Sequence, residues 1–308
     1  SKYWEVSRSH SLSDMNAATE QLEDILNEVI ESQLISDVTI GALQSAGIDS
    51  SLISYSLPQG AEAPLFTVGF NQKSHDETEI ASYVAQDLNR KFYKIEANEK
   101  NIEDILQDVV HYSDGQLSDS SMIPTYFVCE AISQHAKVAL SGDGADEIFG
   151  GYETYKATML AGGVSKFLSA SIWNFMGQAV HRLSGVSESR VPLSEKISRL
   201  FLGMSNNVPH TGWRRYLQDR EMKSVFSKSL YDQYSEKAKG YDEAFTAAQG
   251  DVIDKALLSD QTYYLPGDML IKSDRMSMAH GLEVRVPFLD KRIVEFANRL
   301  HPDLLVTM

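Results

Sequence analysis

The fold is decided by residues 38–51, which read Val38-Thr39-Ile40-Gly41-Ala42-Leu43-Gln44-Ser45-Ala46-Gly47-Ile48-Asp49-Ser50-Ser51. The stretch begins with β-branched and apolar residues, which are typical of a buried strand. Small residues then predict a turn, and the apolar run from Leu52 to Tyr55 predicts a helix. A strand, a small-residue loop and a helix start form an anion site, because free loop N–H groups and the positive end of the helix both attract negative charge.

Asp49 is the unexpected residue of this loop, because a carboxylate repels an anion. Its presence is explained if a cation such as Mg²⁺ bridges Asp49 to the bound anion. The hydroxyl groups of Ser45, Ser50 and Ser51 would add donors. The plainer alternative is a tight strand-to-helix turn in which Asp49 caps the helix.

Composition limits the classes of function. The 308 residues are 43% hydrophobic and 23% charged, which predicts one large or two smaller water-soluble domains. The net charge of −15 argues against a nucleic-acid partner, since phosphate backbones need basic surface, but bound Mg²⁺ would still allow ATP. Cys129 is the single cysteine, which excludes an internal disulfide and indicates a reducing, cytoplasmic location. The most apolar window, residues 157–180, is interrupted by polar residues and predicts a core helix, not a membrane span.

Strands and helices alternate through the first half of the chain. Apolar residues recur at helical spacing from Ser13 to Ile30, which predicts a first helix. Further strands are predicted at residues 64–70, 91–95 and 136–140, and further helices at residues 76–88 (capped by Asp76), 102–110 and 124–134. This alternation predicts an α/β fold with a mostly parallel sheet, helices on both faces, and ligands at the carboxyl ends of the strands.

The second half is predicted to be mainly helical. No further strand stands out after Thr154, and helices are predicted at residues 155–183, 193–202, 221–227 and 251–258. The predicted organisation is therefore a linker at residues 1–12, an α/β core at residues 13–154 and a mainly helical part at residues 155–308.

A second loop with carboxylates follows the fourth predicted strand and reads Ser141-Gly142-Asp143-Gly144-Ala145-Asp146-Glu147. Parallel strands end at the same edge of a sheet, so Asp146 can approach Asp49, and the two carboxylates could hold Mg²⁺ against phosphate oxygens. The alternative is a solvated loop that caps a helix. The glycines favour a ligand site, since they permit close approach of the backbone.

A third stretch, residues 263–290, places charges among apolar residues. Such charges are paired or functional. Lys272 can reach a phosphate as a point charge, although it could equally be a surface residue. For Glu283 and Arg285 a structural ion pair is favoured, and His280 is given no role.

Residues 45–50 resemble the pyrophosphate-binding loop of the ATP-pyrophosphatase superfamily, Ser-Gly-Gly-x-Asp-Ser. The Gly-Lys-Ser/Thr of a Walker A loop does not follow. Ala46 replaces a glycine of the family motif. If that position needs a positive φ, alanine costs roughly 1 kcal/mol in strain.

Together the three stretches resemble the C-terminal synthetase domain of the glutamine-hydrolysing asparagine synthetase family. Residues 118–126 and 67–70 support the resemblance, which covers nearly all of the chain and is weakest over residues 160–255. It implies an adenine nucleotide hydrolase-like sheet. It also implies ATP and Mg²⁺ as cofactors, and a reaction in which aspartate is activated as an adenylate and ammonia displaces AMP.

The resemblance also implies residue roles. Asp49 and Asp146 would hold Mg²⁺, and Lys272 would stabilise phosphate charge during adenylation. Asp143 stands where many members have glutamate, a position linked to the reacting acid or intermediate. The remaining implied contacts are to pyrophosphate for Ser45, Gly47, Ser50 and Ser51, and to adenosine for the backbone of Val68, Ser141 and Gly142.

The family's glutaminase domain, with its N-terminal cysteine nucleophile, is not found in this sequence. Residue 1 is serine, Tyr3-Trp4 resembles the link after that domain, and Cys129 lies in an apolar run typical of core packing. The chain also ends soon after residues 287–290, earlier than family members do. We therefore expect a fragment or a standalone synthetase half that takes ammonia from elsewhere, with a homodimer as a further expectation.

Three functions stay open at this point. The first is an ATP-dependent enzyme that makes an amide from aspartate. The second is a relative that forms a β-lactam or amidates a sugar carboxylate. The third is a non-catalytic ATP-binding or scaffold domain, which Ala46 and the short C-terminus suggest.

Overall fold

A computed structural model describes residues 3–70, 77–97, 102–115, 119–164, 167–183, 193–215 and 219–307. The chain divides into two compact units that are each discontinuous in sequence. The sheet unit comprises Leu12–Ile148 and Leu265–Arg299, and the helical unit comprises Ser1–Ser11, Phe149–Tyr264 and Leu300–Met308. The domain boundaries given above stay predictions.

The sheet unit contains five parallel strands in the order β3-β2-β1-β4-β5. Their bounds are Ile40–Leu43 for β1, Leu65–Phe70 for β2, Phe92–Ala97 for β3, Val138–Leu140 for β4 and Glu283–Arg285 for β5. The predicted parallel sheet is confirmed. The expectation of no strand after Thr154 is wrong, because β5 pairs with β4 and completes the sheet.

Helices cover both faces of this sheet, as predicted. The helices of the sheet unit are α1 (Met15–Gln33), α2 (Ile48–Ser56), α3 (Thr78–Asp87), α4 (Ile102–Tyr112), α5 (Met122–Ser133), α6 (Ala145–Phe149), α14 (Ile271–Met278) and α15 (Lys291–Ala297), with a 3-10 turn at Pro287–Leu289. Phe66 packs with Cys129 and Ile132 of α5. A Cβ on Gly69 would lie 3.1 Å from Cγ2 of Thr78, in α3. Residues 66 and 69 of a strand point to opposite faces, so α5 and α3 cover opposite faces.

Local sequence explains where these helices begin and which side is buried. The Asp14 side chain accepts a hydrogen bond from the Ala17 N–H at 2.8 Å and caps α1, whose buried residues are Ala18, Leu26, Val29 and Ile30. In α3 the residue at the cap position is Glu77. The predicted cap, Asp76, lies outside the described residues.

The helical unit is built from helices throughout the range that the structure describes. Their bounds are α7 (Glu153–Val164), α8 (Ala170–Leu183), α9 (Leu193–Met204), α10 (Pro209–Trp213), α11 (Asp219–Val225), α12 (Lys228–Ala247), α13 (Val252–Ser259) and α16 (Pro302–Leu305). An 11-residue π-helical segment, Asp260–Leu270, leads directly into α14. The single helix predicted at residues 155–183 is wrong, since α7 and α8 are separate. Every helix in the described ranges is too short or too polar to cross a membrane.

Candidate active site

The loop between β1 and α2 is held in shape by side-chain hydrogen bonds. The Gln44 amide nitrogen donates to the Ser45 carbonyl at 2.6 Å and to Oγ of Ser51 at 3.1 Å. Oγ of Ser45 and Oγ of Ser50 are 2.9 Å apart. Gln44 is itself buried and accepts a hydrogen bond from Ser54. The loop is therefore ordered before any ligand arrives.

The backbone of this loop already binds one carboxylate. The Ala46 N–H donates to Oε2 of Glu77 at 3.1 Å. Gly47 is at the N-cap of α2 and is not capped by a side chain. One backbone N–H of this loop, that of Ala46, thus faces an anionic acceptor, which is the type of group that the sequence predicts there.

Ala46 is not strained. The described non-glycine residues with a positive φ are His10, Asn89 and Asp114, and Ala46 is not among them. The position does not use the conformation that would require glycine, so the strain considered above is absent. Ala46 therefore no longer supports the alternative that the chain is a non-catalytic ATP-binding domain.

The second loop touches the first. A Cβ on Gly142 would lie 3.2 Å from both Cβ of Asp49 and the backbone nitrogen of Ser50. Gly144 has φ +86°, which favours glycine. The Ser141 N–H donates to the Arg285 carbonyl at 2.9 Å, which fixes the start of this loop to β5. The loop after β4 thus lies against the first turn of α2, next to the carboxyl ends of β1 and β4.

Asp49 and Asp146 form a carboxylate pair at this junction. Burial, with the added repulsion of Asp146, raises the pKa of the Asp49 carboxyl from 3.8 to about 6. Among the described residues there is no group of three or more His, Cys, Asp or Glu side chains that could hold a metal ion. Two carboxylates suit Mg²⁺, which commonly takes one or two carboxylates and completes its shell with water and phosphate oxygens.

This raised pKa predicts how stability depends on pH in the metal-free protein. Because the pKa of Asp49 is higher in the folded state, binding of a proton to Asp49 stabilises the folded state. This contribution to the free energy of unfolding is complete below the unfolded pKa, near 4, and is lost as the pH rises through about 6. We expect the Asp49→Asn variant to melt at a higher temperature than the unsubstituted chain at about pH 7.5 with a chelator present, and the difference to vanish near about pH 4. Asp24→Asn, an exposed change on α1, serves as the control. A lower melting temperature for Asp49→Asn at the higher pH would contradict the expectation.

Lys272 is buried, so the surface alternative considered for it is wrong. Its side chain is 9% exposed, and its ammonium lies 2.9 Å from Oδ2 of Asp119 and 2.8 Å from Oγ of Ser121. Burial alone would raise the pKa of the Asp119 carboxyl, but hydrogen bonds from Lys272 and Ser121 and the charge of Lys272 lower that pKa below its ordinary value. The charge of Lys272 is thus anchored in the interior of the sheet unit.

The next residue along α14 reaches the second loop. The Ser273 hydroxyl donates to Oδ2 of Asp143 at 2.5 Å. Consecutive residues of α14 therefore hold Asp119 on one side and Asp143 on the other. The first turn of α14 brings the loop that precedes α5 and the loop that follows β4 into one arrangement.

The other side chains considered from the sequence have structural places. Glu283 and Arg285 form the expected ion pair at 2.7 Å, and Arg285 also donates to the carbonyls of Gln33 and Ile35. His280 packs edge-on against Tyr126. Val68 is half-buried in β2, the strand next to β1.

Some residues of this arrangement are given no role by the sequence analysis, among them Gln44, Asp119, Ser121 and Ser273. A buried glutamine at the end of an apolar strand is one available signal, because buried amides are hydrogen-bonded. Asp119 and Ser121 belong to the stretch 118–126 that supports the family resemblance, of which Ser118 lies outside the described residues.

Comparison with known proteins places the chain in a family. Residues 21–307 match the family model for asparagine synthase, and the chain belongs to that family. It is 28% identical over 296 residues to asparagine synthetase [glutamine-hydrolyzing] 1 of Bacillus subtilis strain 168, and the match covers 93% of this chain and 44% of that protein. It is 25% identical over 351 residues to amidase chry2 of Gibberella zeae, covering 98% of this chain and 49% of that protein. The chain thus spans less than half the length of these curated relatives.

A solved structure is also similar. The NH3-dependent NAD synthetase from Campylobacter jejuni shares 13% identity with a TM-score of 0.34, and the match covers 84% of this chain and 98% of that one. The parallel order of the five strands and the family match define the fold.

Proposed function

We propose that this chain joins ammonia to the side-chain carboxylate of aspartate, forming asparagine while ATP is cleaved to AMP and pyrophosphate. Family membership supports ATP-dependent amide formation. The observation that carries the proposal is the contact of Gly142 with the first turn of α2, beside the Asp49 and Asp146 carboxylates. Buried Lys272 supplies a fixed positive charge within the same unit.

The first loop is proposed to bind the phosphates. Ser45, Gly47, Ser50 and Ser51 would contact pyrophosphate oxygens through N–H and hydroxyl groups. Asp49 and Asp146 would hold Mg²⁺, which when bound neutralises charge on the leaving pyrophosphate. The raised pKa of Asp49 supports this, since a bound cation would offset both the burial of the carboxylate and the repulsion from Asp146 that raise it.

The adenosine is proposed to lie against the strand ends. Val68, Ser141 and Gly142 would contact it through their backbones. In the chemical step a carboxylate oxygen of the acid attacks the α-phosphorus, a new C–O–P bond forms, and the bond to pyrophosphate breaks. The two reacting groups are both anions, so the loop N–H groups and Lys272 lower the barrier by offsetting their repulsion.

Amide formation follows from the adenylate. Ammonia attacks the acyl carbon, and AMP leaves with the carboxylate oxygen that had joined it. Asp143 accepts a hydrogen bond from Ser273, the residue after Lys272 in the sequence, and is proposed to act at the reacting acid. Cytoplasmic location and pairing of two copies of the chain belong to the same proposal.

A panel of carboxylic acids tests the proposal. Pyrophosphate release is measured with ATP, Mg²⁺ and ammonium, and aspartate is expected to give the largest rate. Release with another acid but not with aspartate would assign the function to a related amidotransferase or β-lactam-forming synthetase instead. ATP binding without pyrophosphate release for any acid would contradict an enzymatic function.

The nitrogen source gives a separate prediction. This chain is expected to use ammonium and to release no glutamate from glutamine, because glutamine hydrolysis needs an activated nucleophile. Burial, with the nearby Asp143 carboxylate, raises the pKa of the Cys129 thiol to about 12, so it stays protonated and inert. Glutamate formation is measured with and without ATP, and Cys129→Ala is expected to leave both readings at background. Glutamate formation that disappears in Cys129→Ala would contradict the prediction.

A further inference from the structure

Asp119 has contacts that the proposed roles leave unused. Its Oδ1 accepts the Ser121 N–H at 2.9 Å, and its Oδ2 accepts the Ser121 hydroxyl at 2.7 Å and the Lys272 ammonium at 2.9 Å. The carboxylate is buried, with 8% of the residue exposed. One carboxylate thus shapes the turn before α5 and binds a charge 153 residues further along the chain.

A lysine at a phosphate site needs such an anchor. The ammonium is carried on a flexible four-carbon stem with many rotamers, and a compact charge acts only where it is held. Around Lys272 the described contacts are Asp119, Ser121 and the sulfur of Met269, the last at 3.6 Å. Only Asp119 supplies opposite charge among these three partners, so it decides where the ammonium lies.

We propose that Asp119, assisted by Ser121, is the positioning residue of the reaction: it holds the Lys272 ammonium where phosphate charge develops. The proposal rests on the proposed function, in which Lys272 acts on ATP. Asp119 does not touch substrate in this view. It acts through Lys272.

The physical reason is that the two partners of a buried pair depend on each other. Removing one charge leaves the other buried without compensation, which is strongly unfavourable. Asparagine at 119 would keep an oxygen for the Ser121 N–H, and therefore the turn before α5, but would withdraw the negative charge from Lys272. Without that charge the position of the Lys272 ammonium beside residue 119 is less favourable, so we expect the ammonium to move while the surrounding fold stays intact.

Steady-state kinetics of Asp119→Asn give the first test. We expect kcat to fall about a hundredfold, because misplacement of a reacting group by about 1 Å has effects of this size, while KM for ATP stays within about threefold. Asp114→Asn is the matched control. Asp114 pairs with Arg275 of α14 at 2.7 Å but is exposed, and its φ of 56° suits asparagine. Equal losses in both variants, or a change confined to KM, would overturn the proposal.

A double-mutant cycle separates positioning from a general structural effect. In a Lys272→Ala background, Asp119→Asn is expected to change kcat by less than about twofold, because the group that it positions is gone. Multiplicative losses in the double variant would show that Asp119 acts independently of Lys272 and would overturn the proposal.

A measurement of stability, which needs no enzymatic turnover, tests the Asp119–Lys272 pair separately from the proposed function. The urea midpoints of Asp119→Asn, Lys272→Met and the double variant are compared, and the double variant is expected to lose less stability than the sum of the two single changes. Additive losses would overturn the pair, whether or not the chain is active. A wild-type chain without turnover would refute the proposed function and the positioning role together, whereas normal turnover in Asp119→Asn would refute the positioning role alone.

Discussion

Replacing Asp49 or Asp146 with asparagine is expected to abolish turnover and to make nucleotide binding less dependent on Mg²⁺. The two carboxylates lie in the first turns of α2 and α6, Gly142 lies against the first turn of α2, and the pKa of Asp49 is raised by burial and by Asp146. Either substitution removes one of the two anionic ligands proposed for Mg²⁺. Pyrophosphate release and nucleotide binding at several Mg²⁺ concentrations are the measurements.

The double variant makes this expectation more specific. Residues that act as one metal site are non-additive, so Asp49→Asn with Asp146→Asn should be little worse than either single change. Asp24→Asn, on an exposed side of α1, should keep normal turnover. Near-normal rates in both single variants would contradict a shared metal site.

Replacing Lys272 with alanine is expected to lower the chemical rate by about a hundredfold or more, while ATP affinity falls much less. The ammonium is buried and contacts Asp119 and Ser121, so in the proposed reaction it would be preorganised for the charge that develops on the phosphates. Lys272→Arg should restore the rate only in part, because a planar guanidinium does not replace a compact ammonium.

Single-turnover formation of AMP gives this rate, and calorimetric titration gives ATP affinity. Lys291→Ala is the control, since Lys291 is exposed and pairs with Glu295, four residues along α15. An unchanged rate with weaker ATP binding would make Lys272 a ground-state contact and would contradict the expectation.

The sheet and its two carboxylate loops could be predicted because their signals are local. β4 is an apolar run followed at once by small residues and aspartate, and β1 is followed by the same pattern after Gln44. Parallel order then places both loops at one edge without further information. The contact of Gly142 with Asp49 and Ser50 is consistent with this reasoning.

β5 could not be predicted, because a segment of three residues is too short to show a periodic pattern. Glu283 and Arg285 are charged and flank Val284, and pairing with β4 makes the segment a strand. Non-local pairing of this kind overrides local preference. Pairing between segments distant in sequence also explains why the predicted domain boundaries differ from the two compact units. Residues 265–299 belong to the sheet unit although about 115 residues of the helical unit separate them from its first part.

The pairing of Asp119 with Lys272 was missed for a related reason. The sequence shows an aspartate in a turn and a lysine among apolar residues, and no local pattern connects them across 153 positions. For Ala46 the sequence predicted a strained backbone that the structure does not show. A glycine in related loops suggested a positive φ, but the described loop does not use one at this position.

The most direct test of the proposed reaction follows oxygen from the acid to the nucleotide. The chain is incubated with ATP, Mg²⁺, ammonium and aspartate labelled with ¹⁸O in its carboxylates, and the AMP is analysed by mass spectrometry. If the side-chain carboxylate attacks the α-phosphorus and ammonia displaces AMP, one labelled oxygen appears in AMP for each asparagine formed. Unlabelled AMP, or ADP as the main nucleotide product, would contradict activation through an adenylate.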